Sequence, residues 1–348
     1  RRMKKKIALI LVLVLAVFAF TACGGGSVTP PEDDGTDVPA AGAVKTGYAV
    51  VTSAAKSVDA DEKNGTAQAD STVVAVTVDE NGIITNCVID HAQTKIEISK
   101  DGKIVTPLDT VIPGKQELGE AYGMKKASSI GKEWNEQATA LSNYVIGKTV
   151  SEVKGIAVNE KGAPADSDLA SSVTVSIGGY VAAIEKAVAN AEDMGASADD
   201  RLGVGIVTTI DKSKDAGDEE GLAQAYTNYA VVTFDKAGVI TSCIIDASQT
   251  NINFTKEGKI TTDLTAEVKT KNELGAAYGM IKASSIGKEW NEQAAAFAAY
   301  VVGKTADEVK GIALTEDGVA ADADLSASVT VHIGPFMNNV AKAFDLAK

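Results

Sequence analysis

One stretch of eighteen residues occurs twice in this chain with a single change. Ala121 to Ala138 reads AYGMKKASSIGKEWNEQA, and Ala277 to Ala294 reads AYGMIKASSIGKEWNEQA, so Lys125 becomes Ile281. An offset of 156 aligns the two halves without a gap. It pairs Gly47 with Gly203, Cys87 with Cys243, Gln93-Thr94 with Gln249-Thr250, Gly147 with Gly303, and Val173-Thr174-Val175 with Val329-Thr330-Val331. Solenoid repeats are far shorter, roughly 20–50 residues, so this period is a duplicated domain. Whatever fold the chain adopts is therefore built twice. Core packing tolerates apolar swaps of similar volume. Packing alone does not hold a run of small, polar and aromatic residues in fixed order. The eighteen-residue segment is thus the candidate working site, present in each copy.

The local pattern predicts the elements around it. Val73 to Val78 and Ile83 to Asp90, joined at Glu80-Asn81-Gly82, read as two strands about a tight turn. The second copy, Tyr229 to Asp246, turns at Lys236-Ala237-Gly238. A further short strand fits Lys95 to Ile98 and Asn251 to Phe254. Trp134, Ala138, Leu141 and Val145 share one helical face. Thr149 to Glu152 and Thr305 to Glu308 match the capping box, so a second helix starts at each. Val173 to Ile177 is either a short strand or the lead-in to a closing helix over Tyr180 to Ala191. The class is α+β: two tandem copies of a small antiparallel-sheet domain with packed helices, over 47–192 and 203–348. The small, acidic stretch Ala191 to Asp200 reads as the linker.

The N-terminus reads as an address. Lys4 to Lys6 precede an apolar run of 14 residues, Ile7 to Phe20. That run is shorter than the ~20 residues needed to span a bilayer. It ends in Thr21-Ala22-Cys23, the form of a signal peptide over 1–22. Residues 23–46, rich in Gly, Pro, Thr and acid, read as a flexible tether. Residues 1–22 hold five basic and no acidic residues, so their removal takes the formal charge from −14 to −19. So acidic a chain repels phosphate backbones, which argues against nucleic-acid binding.

The duplication also tests candidate chemistry. The two histidines, His91 and His332, align with Ala247 and Ser176, so no site needed in both copies depends on them. A zinc site or His-based triad is therefore not expected, and both read as isolated exposed side chains. Cys87 and Cys243 are equivalent and single in each copy, and read as buried strand thiols. In the repeated segment Ser128-Ser129 and Ser284-Ser285 lie just before the helical run, where free N–H groups and the helix dipole favour an anion. Tyr122, Met124 and Trp134, with Tyr278, Met280 and Trp290, are the candidate walls of an aromatic pocket. Phosphate at the serines and a flat ring at the aromatics suit a flavin mononucleotide.

The runs Tyr122-Gly-Met-Lys-Lys-Ala127-Ser128 and Tyr278-Gly-Met-Ile-Lys-Ala283-Ser284 resemble the FMN-binding domain family. Its flavin transferase joins the FMN phosphate to a Ser or Thr in a motif of the form Asp-x-x-Ser/Thr-Gly-Ala-Ser/Thr. The Ala-Ser end matches; Tyr stands for Asp, and Lys-Lys or Ile-Lys for the Ser/Thr-Gly pair. With the lipoprotein-type signal and two tandem copies of YGM-x-x-ASSIGKEW-x-EQ, the chain resembles the flavinylated extracellular electron-transfer lipoproteins of Gram-positive bacteria, also called pheromone lipoproteins. The resemblance implies a cell-membrane protein on the extracellular face, anchored through Cys23 acylated with fatty acid such as palmitate. It implies two covalent FMN groups, at Ser128 and Ser284, with Ser129 and Ser285 as close alternatives. Thr94 and Thr250, in the repeated Asp-x-x-Gln-Thr motif, are a second choice for attachment or for contact with the ring. Implied partners are the FMN transferase, a membrane quinone/NADH dehydrogenase system as electron donor, and extracellular acceptors such as ferric iron.

A non-redox surface lipoprotein, using the segment to bind a small ligand or a protein, is the competing reading. A hydrolase with Ser128 as nucleophile would lean on Lys126 and Glu133, which are repeated, but has no repeated His. The change of Lys125 to Ile281 is expected to remove a positive charge beside the second site, so that two flavins need not share one potential.

Overall fold

The computed structural model describes residues 42–348. Cys23, the signal segment and the tether up to residue 41 lie outside the described residues. The first half runs β1 (Ala43–Ser53), β2 (Gly65–Val78), β3 (Ile84–Ile98), β4 (Val111–Pro113), α1 (Lys115–Leu118), a 3-10 turn (Gly119–Tyr122), α2 (Trp134–Val145), α3 (Val150–Lys154), α4 (Ser167–Ala170) and α5 (Gly178–Ala189). There follow β5 (Glu192–Ser197), β6 (Arg201–Thr209), β7 (Gly221–Phe234), β8 (Ile240–Phe254), α6 (Lys271–Leu274), a 3-10 turn (Gly275–Tyr278), α7 (Trp290–Val301), α8 (Ala306–Lys310), α9 (Ala323–Ser326) and α10 (Gly334–Leu346). The protein is mixed α and β, with two antiparallel sheets of order β3-β2-β1-β5 and β4-β6-β7-β8. Among the described residues no helix is long and apolar enough to cross a membrane.

Both faces of each sheet are covered, which is why burial is nearly continuous along β2 and β7 although both strands contain polar residues. On one face Val74, Val76 and Ile89 pack against Leu141 and Val145 of α2 and Ile184 of α5. On the other, Val50, Val73, Ala75 and Val88 meet Leu202, Val204, Tyr229 and Val231 of the second sheet. Ile96 and Ile98 meet Ile252 and Phe254 farther along the same interface. The order of layers is helices, sheet, sheet, helices. Close approach of helix to sheet depends on glycine: a Cβ at Gly203 would sit 1.9 Å from the carbonyl oxygen of Ala343 on α10, and one at Gly205 2.0 Å from that of Asn339.

Several expectations change in detail. The strands foreseen at Ile83 to Asp90 and Lys95 to Ile98 are one strand, β3, because β2 extends to Gly65 and pairs with it throughout. The polar residues His91, Gln93 and Thr94 hide that continuity in the sequence. Val173 to Ile177 is lead-in to α5, not strand. The stretch read as a linker forms β5, whose backbone completes the edge of β1. Strand β1 itself begins at Ala43, inside the expected tether, with Val44 and Thr46 buried. The one-faced α2 and the capping boxes of α3 and α8 stand as expected.

The halves exchange backbone reciprocally. Strand β4 of the first half pairs with β6, placing Ile112 opposite Thr208, and the equivalent Val268 bridges to Thr52. Ile104 N–H donates to Asp215 and Ile260 N–H to Asp59, each at 2.8 Å. Lys186 pairs with Glu273, and Lys342 with Glu117.

Candidate functional site

The repeated segment is a loop that folds on its own side chains before it becomes a helix. After the 3-10 turn, Ser128 N–H donates to the Met124 carbonyl at 3.0 Å. Gly131, with φ of +64°, closes the next turn. Glu133 is extended, with φ −70° and ψ 165°, so α2 can begin only at Trp134. The serines therefore do not stand at the helix start, which corrects the expectation. The Glu133 N–H is taken by Glu136 at 2.7 Å. The buried Glu133 carboxylate turns back to accept from Met124 N–H and Lys125 N–H, each at 2.8 Å. An anion already fills the position where the helix dipole would draw one. Glu289 repeats this, accepting from Met280 and Ile281 N–H at 2.8 and 3.0 Å.

What holds Ser128 is Gln137, which is fully buried. Its Nε2 donates to Ser128 Oγ at 3.1 Å and to the Lys132 carbonyl at 3.3 Å. Its Oε1 accepts from Thr174 N–H at 2.8 Å and from Thr174 Oγ1 at 3.2 Å. Gln293, Ser284, Lys288 and Thr330 repeat the same four distances. Glu133 and Gln137 thus account for much of the fixed polar order. Lys132 N–H also donates to Ser128 Oγ, at 3.3 Å. Both hydrogen bonds found on this hydroxyl among the described residues come from N–H donors, which gives no base for a nucleophilic serine. Ser128 and Ser284 are half-buried; Ser129, Ser285 and Lys126 are exposed.

Tyr122, Met124 and Trp134 come together as expected, around a residue the sequence reading missed. Lys115, at the start of α1, is buried with its Nζ 4.2 Å from the centre of the Tyr122 ring and 5.4 Å from that of Trp134. Lys271 is caged more fully, 4.5, 4.4 and 4.7 Å from the rings of Tyr226, Tyr278 and Trp290, and donates to Tyr226 Oη at 2.8 Å. Burial pushes both ammonium groups down to about 8. The ring faces offset part of that cost by cation–π attraction. The signal was available, since Lys-x-Glu-Leu-Gly-x runs directly into the segment in both copies.

Around Lys271 the chain forms an open cleft of 770 Å³, lined by Tyr226, Gln249, Tyr278, Met280, Trp290 and Phe336 among others. Val111, from β4 of the first half, contributes to its wall. Tyr278 Oη donates to Gln249 Oε1 at 3.0 Å, and Tyr122 Oη to Gln93 Oε1 at 3.4 Å. Gln93 and Gln249 are therefore the members of the Asp-x-x-Gln-Thr motif on the cleft side. Thr94 and Thr250 are buried, and strand alternation sets them on the face of Ala92 and Ile96, which pack between the sheets. The structure does not bring them to the aromatic residues.

His91 is not the isolated exposed side chain expected. Its ring is 6.1 Å from that of Trp134, and Nδ1 lies 2.9 Å from Thr72 Oγ1. His332 is exposed and lines the rim of the second cleft. Cys87 and Cys243 are buried as expected, and burial raises both thiols, Cys87 to about 12. Lys125 pairs with Glu120 at 3.4 Å. The second copy has Ala276 in place of Glu120, so the change to Ile281 removes a charge pair and not one charge.

Each half also holds an equivalent buried carboxylate, Asp90 and Asp246. Asp246 accepts from Tyr48 Oη at 2.7 Å and Asn272 N–H at 3.0 Å; burial raises it to about 6. Asp90 accepts from Gln116 N–H at 2.9 Å and His91 N–H at 2.7 Å, but its Oδ2 has no partner. Val204 and Gly114 stand where the other copy supplies Tyr48 and Thr270, and burial raises Asp90 to about 7.

The fold and site define a mixed α/β protein with two antiparallel sheets and a lysine-centred aromatic cluster in each half. No family model matches the chain, and no solved structure matches it. Over 40 residues it is 52% identical to a chlorophenol reductase of Desulfitobacterium hafniense. That match covers 12% of this chain and 12% of that protein.

Proposed function

We propose that this protein is an extracellular electron carrier, tethered to the cell membrane through acylated Cys23, with one FMN joined covalently to each of two tandem domains. The observation that carries the reading is the recurrence, in both halves, of a serine held by a buried glutamine and of aromatic rings gathered about a buried lysine, with an open cleft around the second of these. The cleft fits the group: its volume lies in the usual range for cofactor sites, about 300–1,000 Å³, and apolar walls meet a few polar groups there. Ser128 and Ser284 supply the hydroxyls for phosphate attachment. Gln137, Gln293 and the Lys132 and Lys288 N–H groups donate toward that oxygen. Lys126, Lys132, Lys282 and Lys288 add positive charge nearby. Tyr122, Trp134, Tyr278 and Trp290 border the ring and keep water from one side.

FMN supplies the electron chemistry when bound; the chain binds it, orients it and sets its electrostatic surroundings. Covalent attachment suits a carrier working outside the cell, where a dissociated cofactor is lost. The short likeness to a protein named a reductase points toward the same redox setting. Electrons would come from a membrane quinone/NADH dehydrogenase system and pass to extracellular acceptors such as ferric iron. The test is the intact mass of the denatured protein after co-expression with a flavin transferase. Two FMN additions are expected, and one is expected to be lost in each of Ser128→Ala and Ser284→Ala. A chain that gains no mass and no colour overturns the proposal.

A further inference from the structure

The lysine-centred aromatic clusters of the two halves, the first and second clefts of the proposed function, differ in charge. Position 70 of the first is a carboxylate; its equivalent in the second is Tyr226. Asp70 accepts from Gln68 at 2.9 Å and Gln93 at 3.1 Å, and pairs with Lys56 at 2.8 Å and His91 at 3.6 Å. Burial alone would raise its carboxyl, but these partners hold it well below the usual carboxylate range. Asp70 is thus an anion, with its side chain only 9% exposed, in the cluster that contains Lys115. The Lys56 charge that pairs with it is 68% exposed and open to water. In the second cleft Lys271 has a neutral phenol at that position, and Lys212 at the rim pairs with Asp211, both exposed. Exposed charges are screened by water and salt, whereas buried ones are screened much less. Asp90 and Asp246 lie at equivalent positions; burial raises them to about 7 and about 6, so at neutral pH Asp246 carries the larger charge and offsets part, but not all, of the difference made at position 70. Near the rings Lys115 faces Asp70 together with Asp90, whereas Lys271 faces Asp246 and has no counterpart of Asp70.

We propose, on the reading that each cleft holds a flavin, that the second cleft has the higher reduction potential, and that Asp70 and Tyr226 set the difference. Two-electron reduction at neutral pH takes up one proton and leaves one negative charge on the ring. Lys271 favours that charge; beside Lys115, Asp70 opposes it. Transfer from the first cleft to the second would then run downhill: two electrons would pass between the groups, the first releasing one proton to solvent and the second taking one up.

Reductive titration of the doubly loaded chain, with the single-attachment variants assigning the waves, tests this. The ratio of reduced to oxidised flavin at a common potential is expected to be at least tenfold greater in the second cleft, a separation of about 30 mV for a two-electron couple. Asp70→Asn should move the first wave toward the second. Tyr226→Asp should move the second toward the first, and it keeps the test available if Asp70→Asn does not fold. Coincident waves, or waves that neither substitution moves, overturn this inference and leave the flavin reading standing. A chain that carries no flavin mass overturns both.

Discussion

Asp90 and Asp246 show how a single pair of neighbours decides the state of a buried acid. Both carboxylates occupy the same place in their strands, yet only Asp246 meets a tyrosine hydroxyl from the other half. Asp90 keeps an unpaired oxygen at 1% exposure, and burial lifts it to about 7. An unfolded aspartate titrates near 3.9, so the folded state binds this proton more tightly between about pH 4 and pH 7. The contribution of Asp90 to stability is greatest below the unfolded pKa and falls as pH rises through that window. Asp90→Asn removes the titration. Relative to the parent, the variant should gain stability between about pH 5 and pH 8, by up to a few kcal/mol. Urea unfolding at both values measures it, and a difference that does not grow with pH would refute the assignment. Little of this was legible in the sequence: Asp90 and Asp246 carry the same local motif, and their difference lies in Tyr48, which reaches Asp246 from the other half, and in Thr270, where the first half has Gly114.

At the scale of elements, what the sequence showed was what local periodicity decides. The α2 face at Trp134, Ala138, Leu141 and Val145, the capping threonines and the hairpin turn at Gly82 all follow from spacing within a few residues. The position of Ser128 did not, because the turn at Gly131 and the extended Glu133 delay the helix past the point where the small residues suggest it starts. Nor did the face of Thr94, since a polar run carries no period to follow. Helix-on-sheet distance is also an element-scale property, and here glycine sets it. In the first half a Cβ at Gly47 would sit 2.1 Å from the Ala187 carbonyl oxygen, while Ala49 occupies the place of Gly205. Gly205→Ala would drive a methyl group against the α10 backbone, which cannot swing aside as a side chain can. A loss of roughly 1–3 kcal/mol is expected. Gly217→Ala, with no atom within 4 Å of its Cβ, is the control. Equal melting temperatures for the two variants would show that α10 is not held as described.

For the whole molecule, the offset of 156 announced two copies but not how they are joined. The joining is non-local: β4 extends the sheet of the second half, Val268 bridges back to β1, and paired loops exchange hydrogen bonds through Asp59 and Asp215. The described residues, 42–348, accordingly form one compact unit. Neither sheet has its inner face covered without the other, because Val73, Ala75 and Val88 pack on Val204, Tyr229 and Val231. Separating the halves would expose that face, together with the cluster of Ile96, Ile98, Ile252 and Phe254, to water. At about 25 cal/mol per Å² of apolar surface, such exposure costs more than a hinged linker could offset. The halves should therefore unfold together. The chain has two tryptophans, one in each half, both 3% exposed beneath their helices, so each half carries its own reporter. In Trp290→Phe the fluorescence follows the first half, and in Trp134→Phe the second. Each variant's fluorescence transition in urea should coincide with its own transition by circular dichroism, as two-state behaviour requires. A half that melts at lower urea while the secondary structure of the other persists would mean that the shared interface contributes little, and that the two copies behave as independent domains.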